Sequence, residues 1–248
     1  REKIEDRSAV VGVIGLGYVG LPLLAAFHRA GFKVIGFDLD PRKIELLHKG
    51  ENYLKHLGAD LVKVMLGNRF DATSDVKRMG ECDVLLSCVP TPLGPHFEPD
   101  LSFVEATAID IAKTLRPGQL IVLESSTYPR TTREVMLPRF EKTGMKLGQD
   151  FFRAYSPERE DLGRKDHNTV TIPKLVGGID AESGRLATAL YAKAIKTVIP
   201  VKSAEIAEAA KLLENIYRAV NIALVNEMKI VLDAMDIDVW DVIEAAKT

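Results

Sequence analysis

The segment Gly15-Leu16-Gly17-Tyr18-Val19-Gly20 has the G-x-G-x-x-G spacing of a turn that lays backbone N–H groups against a phosphate. Gly15 permits the tight turn, Gly17 lets a pyrophosphate approach the backbone, and Gly20 allows a helix to pack closely on a strand. The helix that opens there adds unpaired N–H groups and the positive end of its dipole. Asp38 lies eighteen residues beyond Gly20, near the usual spacing for a carboxylate that accepts hydrogen bonds from ribose hydroxyls. Its charge repels a 2′-phosphate, so the cofactor read from these residues is NAD. Arg42 and Lys43, close by, weaken the argument against NADP.

Three polar stretches follow apolar runs: Ser87 to Pro92, Glu124 to Thr127, and Tyr155 to Arg159. Each falls at the carboxyl edge of a strand, where doubly wound folds bind ligands. Farther on, Lys211, Asn215 and Arg218 stand at i, i+4 and i+7 and so share one helix face. The stripe Ile206, Ala210, Leu213, Tyr217, Val220, Leu224 and Val231 occupies the opposite face. Each set has a plainer alternative. A Lys/Asn/Arg stripe is ordinarily the wet side of an amphipathic helix, and hydroxyl residues after strands are ordinarily turn formers. Cys88 reads as a small buried apolar residue.

The elements that must position these groups alternate. Apolar runs at Ala9–Ile14, Lys33–Phe37, Asp83–Cys88 and Gln119–Leu123 read as strands. Helices are expected over Tyr18–Ala30, from Pro41 to about Lys49, and over Leu101–Leu115, with Gly31, Gly50 and Pro117-Gly118 as stops. The runs Phe151–Ala154, Leu175–Gly178 and Thr197–Pro200 continue the style. Alternation of this kind implies parallel pairing through right-handed crossovers. The fold class is therefore α/β, a Rossmann-like doubly wound parallel sheet. After Ser203, read as an N-cap, Ala204–Ala234 holds neither glycine nor proline and reads as one long helix, followed by a shorter one at Asp238–Ala246. The domains expected are residues 1–200 for the cofactor and 201–248 for the long helix and the start of a helical domain.

Bulk properties exclude some classes. The 248 residues are 46% hydrophobic with a formal net charge of −2, and no Lys/Arg block offers nucleic acid a footprint. Ala9 to Phe27 is uncharged and nearly long enough to span a bilayer, but its four glycines and Pro22 favour a strand, a turn and a buried helix. The charged first seven residues lack the apolar core of a signal peptide. The two cysteines, Cys82 and Cys88, form no metal-ligand pattern, so no metal is expected and a reduced, cytoplasmic setting is the simplest reading.

Taken together, Gly15–Leu21 (GLGYVGL), Val89–Pro92 (VPTP), Glu124–Pro129 (ESSTYP), Tyr155–Arg159 (YSPER) and Glu208–Glu227 (EAAKLLENIYRAVNIALVNE) resemble the nucleotide-sugar 6-dehydrogenases, in order along the chain. The wording looks most like the UDP-N-acetylglucosamine 6-dehydrogenase branch; UDP-N-acetylmannosamine or UDP-glucose as substrate, or a non-catalytic NAD-binding module, are the alternatives. The resemblance implies NAD as cofactor, a UDP-sugar as substrate, a homodimer paired through the central helix, and a place in polysaccharide biosynthesis. It implies that Tyr18 and Val19 meet the pyrophosphate, Asp38 and Lys43 the adenosine ribose, and Val89, Thr91 and Thr127 the nicotinamide side. By the same resemblance Arg159, Glu160, Lys211, Asn215 and Arg218 meet the substrate, and Glu158, Thr127, Lys211 and Asn215 serve the chemistry.

The family reaction takes a C6 alcohol to a carboxylate with two NAD, through a thioester on a cysteine. That cysteine belongs to a Gly-His-Cys segment after the central helices, and neither Cys82 nor Cys88 matches it. The expectation is therefore a chain that binds NAD without completing turnover, either a truncated part of the enzyme that lacks the C-terminal sugar-nucleotide domain or a shortened relative. Two smaller departures are Arg130, where the family usually has glycine, and Leu162, in place of a common proline before Gly163. Arg130 is read either as narrowing the nicotinamide loop or adding a cation facing phosphate, or as neutral if its φ is negative.

Overall fold

The computed structural model describes residues 1–54, 58, 60–67, 69–158 and 170–247. They form two compact units, Arg1–Ala209 and Ala210–Thr248. The first unit opens with a short turn of helix, α1 (Glu2–Glu5), and then alternates β1 (Val10–Ile14), α2 (Gly20–Arg29), β2 (Lys33–Phe37), α3 (Pro41–His48), α4 (Asp60–Lys63) and β3 (Phe70–Thr73). A 3-10 turn (Val76–Glu81) leads to β4 (Val84–Ser87), α5 (Ser102–Thr114) and β5 (Gln119–Leu123). A π-helical stretch, Thr131–Met136, runs into α6 (Leu137–Glu141), and β6 (Phe151–Tyr155), β7 (Lys174–Gly178), α7 (Ala181–Tyr191) and β8 (Val198–Val201) follow.

The eight strands form one sheet in the order β3-β2-β1-β4-β5-β6-β7-β8. This is the expected doubly wound sheet, with the reversal of strand order between β1 and β4. Neighbouring residues on a strand feed opposite cores, as a sheet buried on both faces requires. Val34, Val84 and Val122 join one cluster with Phe27 and Leu186, while Ile35, Leu85 and Ile121 join the other with Val104 and Phe140. One pairing departs from the parallel expectation: β7 runs antiparallel to β6, and β8 is parallel to β7. An antiparallel partner needs no crossover from one end of the sheet to the other, so β7 starts at the edge where β6 ends.

The register aligns the carboxyl ends of five strands. Ile14 pairs with Phe37 and with Ser87, Ser87 with Leu123, and Leu123 with Tyr155. The ladder extends one residue farther through Gly15 N to Phe37 O (2.8 Å), Cys88 N to Ile14 O (2.8 Å), Glu124 N to Ser87 O (2.9 Å) and Ser156 N to Leu123 O (3.0 Å). Every polar stretch singled out in the first unit therefore leaves the sheet along one edge.

The expected helices form, shorter by one to three residues at their ends. Asp40 caps α3 through Arg42 N at 3.0 Å, with Pro41 at the first helical position. β3 and the helices over 131–141 lack a clear periodic signal: only Ala72 of β3 is buried, and the π-helical stretch follows a left-handed residue. β6 buries a charge, because Arg153 is fully enclosed over the Phe140 ring at 5.0 Å. Burial lowers its pKa to about 9.

The long helix α8 (Ala204–Asp233) begins in the first unit and carries the chain into the second. Ser203 Oγ accepts from Ile206 N at 3.4 Å, as its expected capping role requires. Glu208, fully buried in the second turn, accepts from Arg130 N (2.6 Å), Thr132 N (2.9 Å) and Thr132 Oγ1 (2.6 Å). In the second unit α9 (Val239–Ala245) is capped by Asp238 through Trp240 N at 2.7 Å. Leu213, Tyr217, Val220 and Leu224 of the apolar stripe are exposed.

Asp83 ties the amino ends of two central strands together. Its carboxylate accepts from Val10 N (3.0 Å), Lys3 Nζ (2.8 Å) and Arg116 Nη2 (2.9 Å). Partial burial alone would raise its pKa, but these hydrogen bonds outweigh it and hold the carboxyl below the usual value. A depressed acid contributes stability that is present above its unfolded pKa of about 3.9 and lost as pH falls through the folded value. Asp83→Asn is expected to cost about 2 kcal/mol at pH 7. The gap from the parent should narrow below about pH 4 in urea titrations across pH.

Candidate functional site

Beyond the aligned strand ends lies a cleft of about 700 Å³. One end is lined by Gly15, Gly17, Tyr18, Val19, Asp38 and Lys43, and the other by Val89, Thr91 and Glu158 together with Glu124 and Ser126. Sequence positions more than 140 residues apart thus share one cavity, because the register puts their strand ends in a row.

The three glycines do different work. Gly15 has φ +87°, and a Cβ there would lie 2.8 Å from the Cys88 carbonyl oxygen. A Cβ on Gly20 would fall 1.9 Å from the Gly15 oxygen, so α2 passes over the turn with no room for a side chain. Gly20 therefore packs under the loop, without lining the cleft. A Cβ on Gly17 would meet nothing within 4 Å. Among the described residues no packing requires glycine at that position, and Gly17 lines the cleft. The start of α2 has no side-chain cap and no acid in its first turn, leaving its dipole for an anion.

Asp38 is held more tightly than its expected ribose role requires. Oδ2 accepts from Leu16 N (2.9 Å) and Lys43 Nζ (2.8 Å), and Oδ1 from Asp40 N (3.0 Å). A carboxylate has about four acceptor positions, so capacity for a ribose hydroxyl remains. Arg42 turns to Asp40, with Nε and Nη2 at 3.1 and 3.0 Å, and Lys43 is the cation that offsets the Asp38 charge among the described residues. Tyr53, which no sequence pattern picked out, donates to Leu16 O at 2.6 Å and steadies the same loop.

At the far end the loops after β4 and β5 are stitched together. Thr91 Oγ1 donates to Ser126 O (2.8 Å), Ser125 Oγ to Val89 O (2.6 Å), and Tyr155 OH to Ser125 O (3.2 Å). Thr127 is buried just behind this edge and is not a lining residue, and its Oγ1 has no hydrogen-bond partner among the described residues. Lys174 was also missed; its only signal is a lysine opening an otherwise apolar strand. Its Nζ lies 2.6 Å from Glu124 Oε2 and 3.4 Å from Glu158 Oε2.

Neither cysteine is set up to attack. Burial pushes the Cys82 thiol up to about 12 and the Cys88 thiol well above its ordinary value, so both are protonated at neutral pH. Lys211 is half-buried, and Asn215 and Arg218 are exposed, all on α8 in the second unit. Arg159, Glu160 and Leu162 lie outside the described residues. Arg130 has φ +78°, the left-handed region where glycine is at ease, so the neutral reading that required a negative φ does not hold. Its guanidinium pairs with Glu134 at 3.0 Å.

A mostly parallel sheet with this glycine turn and an acid after β2 is a Rossmann-type dinucleotide-binding unit. Residues 9–195 match the NAD-binding domain of the UDP-glucose/GDP-mannose dehydrogenase family, and residues 205–248 match that family's central domain. The chain belongs to this family. It is 37% identical over 240 residues to a UDP-N-acetyl-D-glucosamine 6-dehydrogenase of Pseudomonas aeruginosa, covering 96% of this chain and 56% of that protein. It is 33% identical to a UDP-N-acetyl-D-mannosamine dehydrogenase of Pyrococcus horikoshii, covering 96% and 57%. The solved structure of the UDP-D-ManNAc dehydrogenase from P. horikoshii superposes with a TM-score of 0.90 at 32% identity, covering 96% and 57%. The chain thus spans a little over half the length of these relatives. Among the described residues no helix is long and apolar enough to cross a membrane.

Two substitutions separate ligand space from packing. Gly17→Ala is expected to keep or slightly raise stability, by up to about 1 kcal/mol, while weakening NAD at least tenfold, or about 1.4 kcal/mol. Gly20→Ala should instead cost about 2 kcal/mol or more of stability through overpacking. Thermal unfolding and calorimetric titration with NAD read the two effects independently. Arg130→Gly, by relieving the left-handed residue, should stabilise the fold by about 0.5–1 kcal/mol, measured by urea unfolding.

Proposed function

We propose that the chain is the cofactor-binding and central-helix part of an enzyme that oxidises the C6 alcohol of a UDP-N-acetylhexosamine to the uronic acid. The substrate assigned is UDP-N-acetylglucosamine, with two hydrides removed in succession and water supplying the second carboxylate oxygen. The observation that carries this reading is the continuous cleft from Asp38 to Glu158, in a chain whose relatives are named for that sugar class.

When bound, NAD accepts the hydride that leaves C6. The residues around it bind and orient. The Gly15–Gly20 turn and the start of α2 hold the pyrophosphate, Asp38 and Lys43 the adenosine ribose, and Val89, Thr91 and Thr127 the nicotinamide side. Thr127, whose buried Oγ1 makes no close hydrogen bond among the described residues, has a donor for a ligand or a water. Lys211 stabilises negative charge developing on the C6 oxygen or takes its proton, and Asn215 orients the oxygen or the water. Glu158 stands near the reacting carbon, and Arg159, Glu160 and Arg218 hold the sugar nucleotide.

Cys82 is buried, Cys88 stands half-buried at the cleft wall, and both thiols are held above their ordinary pKa, so neither is assigned as the nucleophile of the second oxidation. This polypeptide therefore binds NAD without completing the four-electron turnover. The same free thiols suit a reducing, cytoplasmic setting. The exposed stripe of Leu213, Tyr217, Val220 and Leu224 makes α8 the surface through which a homodimer forms.

Calorimetry with NAD and with UDP-N-acetylglucosamine tests the binding half, and product analysis of the full-length gene product tests the chemistry. Two NADH and one carboxylate per sugar are expected, with Lys211→Ala lowering kcat by roughly a hundredfold or more. One NADH and a carbonyl product, or no binding of any nucleotide sugar, would overturn the assignment. Preference for UDP-N-acetylmannosamine would move it to that sugar.

A further inference from the structure

Where β7 begins, at the cleft edge, a lysine is sealed inside the protein. Lys174 is 4% exposed, and its ammonium has three acceptors: Glu124 Oε2 at 2.6 Å, Pro157 O at 3.3 Å and Glu158 Oε2 at 3.4 Å. An ammonium has three protons, and these acceptors account for all of them. The Tyr191 ring centroid lies 5.4 Å from Nζ, and the Tyr191 hydroxyl donates to the other oxygen of Glu124. Two of the acceptors belong to the loop after β6 and one to the loop after β5, so a single side chain joins two loops of the cleft. Both Glu124 and Glu158 line that cleft.

Stability alone is a weak reason for this arrangement. Taking an ammonium and a carboxylate out of water costs several kcal/mol per ion, and apolar residues of similar volume often serve a core equally well or better. What apolar residues cannot do is hold a backbone carbonyl and two carboxylates in one fixed relation. Lys174 reaches them only because β7 is antiparallel to β6, which puts its first residue at the edge where the other strands end.

We propose that Lys174 is a positioning residue that clamps the Pro157–Glu158 peptide to Glu124 and so fixes the Glu158 carboxylate at the nicotinamide end of the cleft. This rests on the role given to Glu158 in the proposed function. Among the described residues, the titratable groups facing the ammonium and Glu124 are Glu158, Cys88, Tyr191 and Tyr155. Burial pushes the Glu124 carboxyl up, and the Lys174 ammonium opposes that push. The ammonium itself, which burial would lower, is carried above its ordinary value by Glu124 and Glu158.

The test uses the chain labelled with ¹³C at glutamate carboxyls, as parent, Lys174→Met and Lys174→Arg, with thermal unfolding as the check on folding. Saturating NAD is expected to shift the Glu158 resonance in the parent and in Lys174→Arg, and to leave it unmoved in Lys174→Met. NAD affinity should fall less than about threefold in Lys174→Met, since the contacts at the Gly15–Gly20 turn persist. The Glu124 titration midpoint should rise by about one pH unit or more in Lys174→Met and stay near the parent in Lys174→Arg. A folded Lys174→Met with parental Glu158 response and Glu124 midpoint would overturn the proposal. If the parent binds no NAD, the proposed function fails, and the Glu124 midpoint still decides whether Lys174 governs the cluster. Should Lys174→Met not fold, Lys174→Gln, which keeps N–H donors and loses the charge, gives the same readouts.

Discussion

The close passage of α2 over the turn after β1 is the constraint on which the cofactor end depends. The Gly15 carbonyl occupies the space that any side chain on Gly20 would need, and Gly15 itself is pressed against the Cys88 carbonyl with a positive φ. This packing draws the start of the helix down to the carboxyl edge of the sheet. The helix start carries no side-chain cap, and Gly17, Tyr18 and Val19 just before it line the cleft. Gly17, in the same turn, meets no such neighbour among the described residues and lines the cleft.

Around that turn the structure spends hydrogen bonds on holding loops. Asp38 and Tyr53 grip Leu16 from two sides, one through its N–H and the other through its carbonyl. Thr91, Ser125 and Tyr155 bind the loops after β4, β5 and β6 to one another through backbone carbonyls. Side-chain to backbone bonds of this kind suit a binding edge, because the strands that end there no longer provide ladder partners. Glu208 does the same for the turn after Pro129, accepting two backbone N–H groups and a hydroxyl, and so anchors the first turns of α8.

Charge is treated differently at the two ends of the cleft. At the Asp38 end, a lysine and a carboxylate meet with partial access to water. At the Glu158 end, Lys174, Glu124 and Tyr191 are buried together, where electrostatic interactions are stronger and each partner fixes the others. The same burial keeps Cys88 protonated beside them. Cys88 packs its Cβ under the glycine turn, 3.3 Å from where a side chain on Gly20 would begin, but it is half-buried and lines the cleft, so it is more accessible than its sequence reading as a buried residue implies.

Much of this was legible in the residues alone. The glycine turn, Asp38, the β–α alternation and the uninterrupted helix after Ser203 are local patterns, in which spacing and residue type directly select backbone geometry. The order of motifs along the chain likewise resembles that of the dehydrogenase family. The antiparallel turn of β7 was not legible, because strand direction depends on the crossover that precedes it and on edges available in the assembled sheet. Nor were the partners of Lys174, or the left-handed backbone of Arg130, since each is decided by neighbours distant in sequence. Residue types and spacing determined a dinucleotide site and its edge of the sheet; tertiary packing alone decided which side chains line that edge and which are locked behind it, because burial and hydrogen-bond partners exist only once the strands are in register.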